Sequence, residues 1–227
     1  MFRLLAIVFL VFCHGALAAP HKITAVYHVT RNAQPFADVT ETFQQENGHY
    51  TLESVTEGIG IYGLFGRRRL YSEGEVTPEG LRPSHFEQRQ GDNAKKAISA
   101  DFDWGTKVLS MKSKGQTTTA PLEAGTLDLA SYAYQFMFAP PRGEEVLVQL
   151  TTGKKLRQYR YRVAERDAVV DCDAGKFKTV HLVNAKENGD EKELWLAIEA
   201  HYIPVRIKMQ DENGFKIEQV LTSLHAE

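Results

Sequence analysis

Polar and apolar residues alternate along most of this chain. Ile23, Ala25, Tyr27 and Val29 share one side of a period of two, and Lys22, Thr24, His28 and Thr30 fall mostly on the other. That is the pattern of a half-buried strand. Phe36–Glu46 and His49–Glu57 repeat it on either side of Asn47-Gly48. Asn-Gly readily takes positive φ at both turn positions, so the pair predicts a tight hairpin. Asn188-Gly189 and Asn213-Gly214 predict two more, the last joining Val205, Ile207 and Met209 to Phe215, Ile217 and Leu221. Asp173-Ala174-Gly175 is a looser turn between Ala168–Cys172 and Phe177–Ala185. Ser72–Val76, Leu81–Gln90, Lys95–Trp104, Lys107–Ser113, Gln116–Pro121, Val146–Thr151 and Lys154–Ala164 read as further strands with polar connections. Roughly a dozen strands or slightly more, mostly sequential, predict antiparallel neighbours. A flat open sheet of that size is unusual, so it is expected to curl into a barrel or half-barrel.

One segment departs from the alternation. Leu127 to Ala139 is apolar on nearly every side and is bounded by Gly125-Thr126 and Pro140-Pro141. Thr126 suits a helix N-cap, with Asp128 in the first turn and the prolines as the stop. The spacing predicts a helix from Leu127 to Phe138. Asp128, Ser131 and Gln135 form its one polar stripe, facing water, and Tyr132, Phe136 and Met137 point inward to line a ligand pocket. The expected fold is therefore mainly β: a curled antiparallel sheet with one apolar helix packed against it as a lid.

Composition bounds the setting. Of 227 residues, the first few read Met1-Phe2-Arg3, then an apolar run to Phe12, then Ala16-Leu17-Ala18. A positive start, a short apolar run and an Ala-x-Ala site predict a secretory signal peptide, Met1 to Ala18, cleaved after Ala18. The run is too short to span a bilayer. Residues 19–227 then form a single domain, expected in the periplasm. Without Arg3, 26 basic residues face 29 acidic ones, a net charge of −3, which argues against a nucleic-acid partner. Cys172 is the one cysteine left after cleavage, so no internal disulfide is expected.

Gly58-Ile59-Gly60-Ile61-Tyr62-Gly63 matches a dinucleotide fingerprint literally. That fingerprint requires a following helix in a βαβ unit, and here Leu64-Phe65-Gly66-Arg67-Arg68-Arg69 and another strand follow. The segment carries a second reading. Apolar Ile59, Ile61, Tyr62, Leu64 and Phe65 beside Arg67, Arg68 and Arg69 make a contact for an anionic membrane or a hydrophobic partner. The plainer alternative folds the apolar residues into the core. Asp101 and Asp103 share one face of a strand roughly 7 Å apart, at about 3.3 Å per residue, within the range of paired glycosidase carboxylates; solvated strand residues beside Phe102 and Trp104 are the simpler explanation. The histidines show no metal-binding spacing, no nucleophile motif is present, and no cofactor is expected. Arg157, Arg160, Arg162 and Arg166 form a basic strand, balanced most simply by neighbours such as Glu191 and Glu193.

Several short pieces together carry a resemblance: Ser72-x-Gly74, Gly80-Leu81-x-Pro83, Phe102-Asp103-Trp104, Leu194-Trp195-Leu196-Ala197 and Pro204-Val205-Arg206-Ile207, with Asp128 and Ser131 at the helix start. In this order they resemble the bacterial exported family catalogued as domain of unknown function 3108, from about Tyr27 to Leu221. The resemblance implies an exported Gram-negative protein, mostly β, with no established activity. More distantly, a curved sheet with an apolar helix is similar to the periplasmic lipoprotein-carrier fold, an analogy of fold alone. The function expected first is non-enzymatic binding of an apolar small molecule or lipid-like ligand in the cell envelope. The rival is a packed β domain acting through envelope protein contacts, and the third is a carbohydrate-active enzyme using Asp101 and Asp103.

Overall fold

The structure, a computed structural model, describes residues 19–91, 97–184, 191–210 and 214–227. The expected signal segment Met1 to Ala18, the Asn188-Gly189 turn and Asn213 lie outside the described residues. The strands are β1 (Lys22–Arg31), β2 (Gln34–Glu46), β3 (His49–Gly58), β4 (Arg68–Thr77), β5 (Gly80–Gln90), β6 (Ile98–Asp103), β7 (Val108–Ser113), β8 (Gln116–Pro121), β9 (Thr126–Asp128), β10 (Glu145–Thr151), β11 (Leu156–Cys172), β12 (Gly175–Asn184), β13 (Glu191–Ala197), β14 (Ile203–Gln210) and β15 (Lys216–Ala226). All belong to one sheet, ordered β8-β7-β6-β5-β4-β3-β2-β1-β15-β14-β13-β12-β11-β10-β9.

The order has a simple origin. Antiparallel neighbours run outward from β1 to β8 on one side and from β15 back to β10 on the other, with β9 added beyond β10. The two meanders join at the centre, where β1 pairs antiparallel with β15. Asn47 (φ 51°) and Gly48 (φ 77°) make the predicted tight turn between β2 and β3. Where two strands were expected between Lys154 and Cys172, one long strand, β11, runs through, and register shifts near Val163 and Arg166 absorb the break in alternation.

Residues 122–125 connect β8 to β9, and these two strands are the opposite edges of the sheet. So short a link spans at most about 18 Å at roughly 3.5 Å per residue. The sheet must therefore roll until its edges come close. It does not close: β8 and β9 are not paired, and β9 instead pairs parallel with β10 and packs on β5. Of the expected barrel or half-barrel, the sheet takes the open form.

The expected helix is also replaced. Thr126–Asp128 is strand β9, followed by turns and a 3-10 turn at Tyr134–Met137. The cause is local side-chain competition with the helical backbone. Asp128 Oδ1 accepts from the amides of Ala130 and Ser131, both at 2.9 Å, and the Asp128 amide donates to Ser131 Oγ at 3.1 Å. Asp128 and Ser131 do not face water; both are fully buried. Gln135 caps a neighbouring turn, accepting from the Leu81 amide at 2.6 Å and donating to the Glu79 carbonyl at 3.1 Å. The segment is a strap inside the roll rather than a lid over it. Its 3-10 turn contacts β5 from one meander and β14 from the other.

Candidate functional site

The inner face holds two enclosed carboxylates. Along β2 the inward row is Ala37, Val39, Glu41 and Phe43. Glu41 faces small residues, Ala25 on β1 and Ser54 on β3, which leave room for its side chain. The residue as a whole is half-buried, yet its carboxylate is enclosed. It accepts hydrogen bonds from the Tyr134 hydroxyl at 2.9 Å and the Ser54 hydroxyl at 3.2 Å. Burial raises its pKa, and the bonds from Tyr134, Ser54 and Gln219 oppose that shift. Asp128 is the second: burial raises its pKa against the hydrogen bonds of Ser72, Ser131 and Ala130. Ser72 Oγ lies 2.6 Å from Asp128 and 2.9 Å from the Tyr50 hydroxyl.

Around these groups the interior carries large aromatic side chains. Tyr27, Tyr50, Tyr134, Tyr161, Phe43, Phe86 and Phe136 are among the fully buried side chains. Tyr132, Phe136 and Met137, the residues expected to line a pocket, are buried in the same contiguous core. Tyr134 stacks on Phe43 with ring centroids 5.8 Å apart. The Lys192 ammonium sits over the Tyr159 ring at 4.3 Å.

The apolar loop behaves oppositely. Gly60–Phe65 is a 3-10 turn with no buried residue. Ile61, Leu64 and Phe65 are 72 %, 87 % and 71 % exposed. The plainer expectation, that these residues enter the core, is overturned. The turn is too tight for them to reach it: a Cβ on Gly58 would lie 2.4 Å from the Tyr62 carbonyl carbon, and Gly60 has φ 59°. That geometry also accounts for the literal glycine fingerprint. One ring anchors the loop, Tyr62 packing edge-on against Phe36 at 4.7 Å.

Beside the loop, at the mouth of the inner face, lies a groove of about 510 Å³ lined by Arg31, Phe36, Thr56, Tyr62, Phe65 and Arg68 among others. Arg31 continues the inward row of Tyr27 and Val29, and Arg68 continues that of Ser72 and Leu70. Arg31 places its guanidinium over the Phe215 ring at 3.7 Å. Arg68 donates to Gln88 Oε1 at 2.9 Å. Arg67 pairs with Glu57 at 2.5 Å and Arg69 with Glu53, so the three consecutive arginines differ: two are neutralised outward and Arg68 turns into the groove. Arg31 was not singled out from the sequence, although extending the alternation Ile23 to Val29 by one step puts it on the inner face.

The other candidates lie elsewhere. Asp101 is exposed and bonded to His85 Nδ1 at 2.7 Å. Asp103 accepts from the Thr106 amide at 2.9 Å, which holds its carboxyl below the usual range and unsuited to donating a proton. His28 pairs with Asp38 at 3.0 Å. Among the described residues no group of three or more His, Cys, Asp or Glu side chains could hold a metal ion. On the basic strand, Arg160 pairs with Glu145 at 2.8 Å, while Glu193 takes His181 at 2.8 Å.

Two of the pieces behind the family resemblance, Ser72-x-Gly74 and Gly80-Leu81-x-Pro83, reach the strap. Ser72 bonds Asp128. A Cβ on Gly74 would lie 2.2 Å from the Arg82 carbonyl oxygen, and one on Gly80 2.1 Å from Gln135. The Trp104 indole donates to the Pro83 carbonyl at 2.7 Å. Among the described residues no helix is long and apolar enough to cross a membrane. No curated protein matches the sequence. The profile of the family described as "Protein of unknown function (DUF3108)" matches residues 26–220, most of the chain, and the chain belongs to that family.

Proposed function

We infer that this protein is a non-enzymatic binding protein of the cell envelope that engages a lipid-like, apolar partner at the Gly60–Phe65 rim. One observation carries the reading: Ile61, Leu64 and Phe65 stand exposed together on one loop. Scattered exposed apolar residues are ordinary, but a contiguous patch marks a contact surface. Of the basic residues beside it, Arg67 and Arg69 are paired with Glu57 and Glu53, so Arg68 is the one that suits an anionic bilayer. The burial of Tyr132, Phe136 and Met137 among other core side chains favours binding at the rim over a ligand enclosed there. It also favours the second reading, a packed domain acting through envelope protein contacts at the same loop.

Co-sedimentation with phosphatidylglycerol vesicles tests the choice. Wild type should bind at low salt, and Leu64→Asp with Phe65→Asp should abolish binding while the melting curve is kept. Raising the salt should weaken binding, because screening shortens the reach of the arginines. Absence of vesicle and amphiphile binding by wild type would overturn the lipid reading in favour of protein contacts.

A further inference from the structure

The groove at the mouth of the roll contains two guanidinium groups that fold stability alone does not explain. Arg31 and Arg68 occupy inward positions at the ends of β1 and β4, whose other inward residues, Tyr27, Val29, Leu70 and Ser72, belong to the core or its polar network. Among the described residues neither has a carboxylate within ion-pair distance. Arg31 rests on the Phe215 and Phe36 rings, 3.7 and 5.9 Å from their centroids. Arg68 is half-buried, its guanidinium held by Gln88, and burial pushes its pKa down. Partly burying a cation with no carboxylate beside it among the described residues carries a desolvation cost. A charge kept at such a position, facing an open groove, is a site for an anion that arrives from outside.

The rest of the lining defines the ligand further. Phe36, Tyr62 and Phe65 supply apolar walls, and Gln90 and Thr56 add polar groups. Guanidinium groups bind phosphate and carboxylate oxygens through paired N–H donors. Apolar walls running out to exposed Leu64 and Phe65 suit an attached hydrocarbon chain. Resting on the lipid-like reading above, we propose that this groove holds the anionic headgroup of a single amphiphile between Arg31 and Arg68, with its chain lying along Phe65 and Leu64.

The test is isothermal titration with dihexanoyl phosphatidic acid, below its aggregation concentration. Dihexanoylglycerol serves as the neutral counterpart, inorganic phosphate as the headgroup alone, and phosphatidylglycerol vesicles as the membrane form. The acid should bind wild type, and the diglyceride and free phosphate should each bind at least about tenfold more weakly, the scale of one lost charged hydrogen bond. Arg68→Gln and Arg31→Gln should each weaken the acid about tenfold or more on the same scale. Arg160→Gln, on the distant β11, should leave it unchanged. Arg68→Gln should melt no lower than wild type, since it removes a half-buried charge; if it fails to fold, Arg31→Gln carries the test.

Equal affinity for the diglyceride, unaffected by either arginine variant, would overturn the headgroup site and leave the apolar reading standing. Free phosphate binding as tightly as the acid would overturn the amphiphile. Vesicle binding without binding of the monomeric acid would overturn the single-molecule site and leave a membrane-contact rim. No binding of any amphiphile or vesicle would overturn both this site and the lipid reading on which it rests.

Discussion

The hydroxyl of Ser72 donates a 2.6 Å hydrogen bond to Oδ2 of Asp128, joining residues 56 apart in sequence. The bond ties the first meander of the sheet to the strap that returns from its edge. Asp128 has no exposure to water, so each oxygen depends on protein donors: Oδ2 on Ser72, Oδ1 on the amides of Ala130 and Ser131. Ser72→Ala should therefore cost about 1–3 kcal/mol, the penalty of a buried acceptor left unsatisfied. Asp128→Ala should cost more, because it strands a hydroxyl and two amides. Urea midpoints measure both; an unshifted midpoint for Ser72→Ala would show the strap to be held by packing alone.

Glu41 should give the stability a pH signature. Burial, first among its causes, raises its pKa above the ordinary 4.5. A carboxyl whose folded value is raised holds its proton more tightly in the fold. Its contribution is thus fully present below pH 4.5 and is lost as pH rises through the raised folded value. Glu41→Gln removes the titration and keeps an acceptor for the Tyr134 hydroxyl. The variant should gain stability relative to wild type as pH is raised from acid to neutral, in paired unfolding curves. A constant difference across that range would mean that Glu41 is solvated in solution.

Phe136, 1 % exposed, distinguishes a solid interior from a hollow one. In a solid core Phe136→Ala should cost about 3–5 kcal/mol, and Phe136→Trp about 1–3 kcal/mol through overpacking. Wild type should then take up no fluorescent fatty acid at this position. If Phe136→Trp keeps its melting temperature and reduces uptake of the probe, Tyr132, Phe136 and Met137 line a ligand site after all.

Two large apolar side chains should respond in opposite ways to truncation. Trp195 is 9 % exposed on the outer face, stacked on His181 at 4.0 Å with the Arg206 guanidinium 5.2 Å from its ring. Trp195→Ala should cost about 3–5 kcal/mol. Leu64, exposed at 87 %, should tolerate Leu64→Ala within about 0.5 kcal/mol. A melting temperature lowered by Leu64→Ala would mean that the loop packs somewhere in solution, and would weaken its role as a contact surface.

The strands and their turns were legible because their causes are local. Alternation in β1, β2 and β3 records which face meets the core, and Asn47-Gly48 supplies the only backbone geometry that a tight turn between β2 and β3 needs. Antiparallel neighbours follow from short connections. The lack of charge among Ile59, Ile61, Tyr62, Leu64 and Phe65 was legible too, but not its fate, since the same residues suit a core or a surface. That depended on the tight turn at Gly58 and Gly60, which keeps Leu64 and Phe65 off the sheet.

The sequence by itself determined that this is an antiparallel β protein, with one apolar segment between Leu127 and Ala139 that has to be buried. Tertiary structure decided the rest. The link at residues 122–125 draws two sheet edges together, so the segment is enclosed from both sides and its polar groups find partners far away in the chain, Ser72 for Asp128 and Leu81 for Gln135. With those partners, buried Asp128 and Ser131 bend the backbone into turns, and helical periodicity loses its meaning. The groove was less legible: Arg31 and Arg68 are 37 positions apart by their numbering, and they come together through the pairing of β1, β2, β3 and β4 in register. Local patterns report a residue's own face; which distant residue stands opposite is set by how the sheet curls.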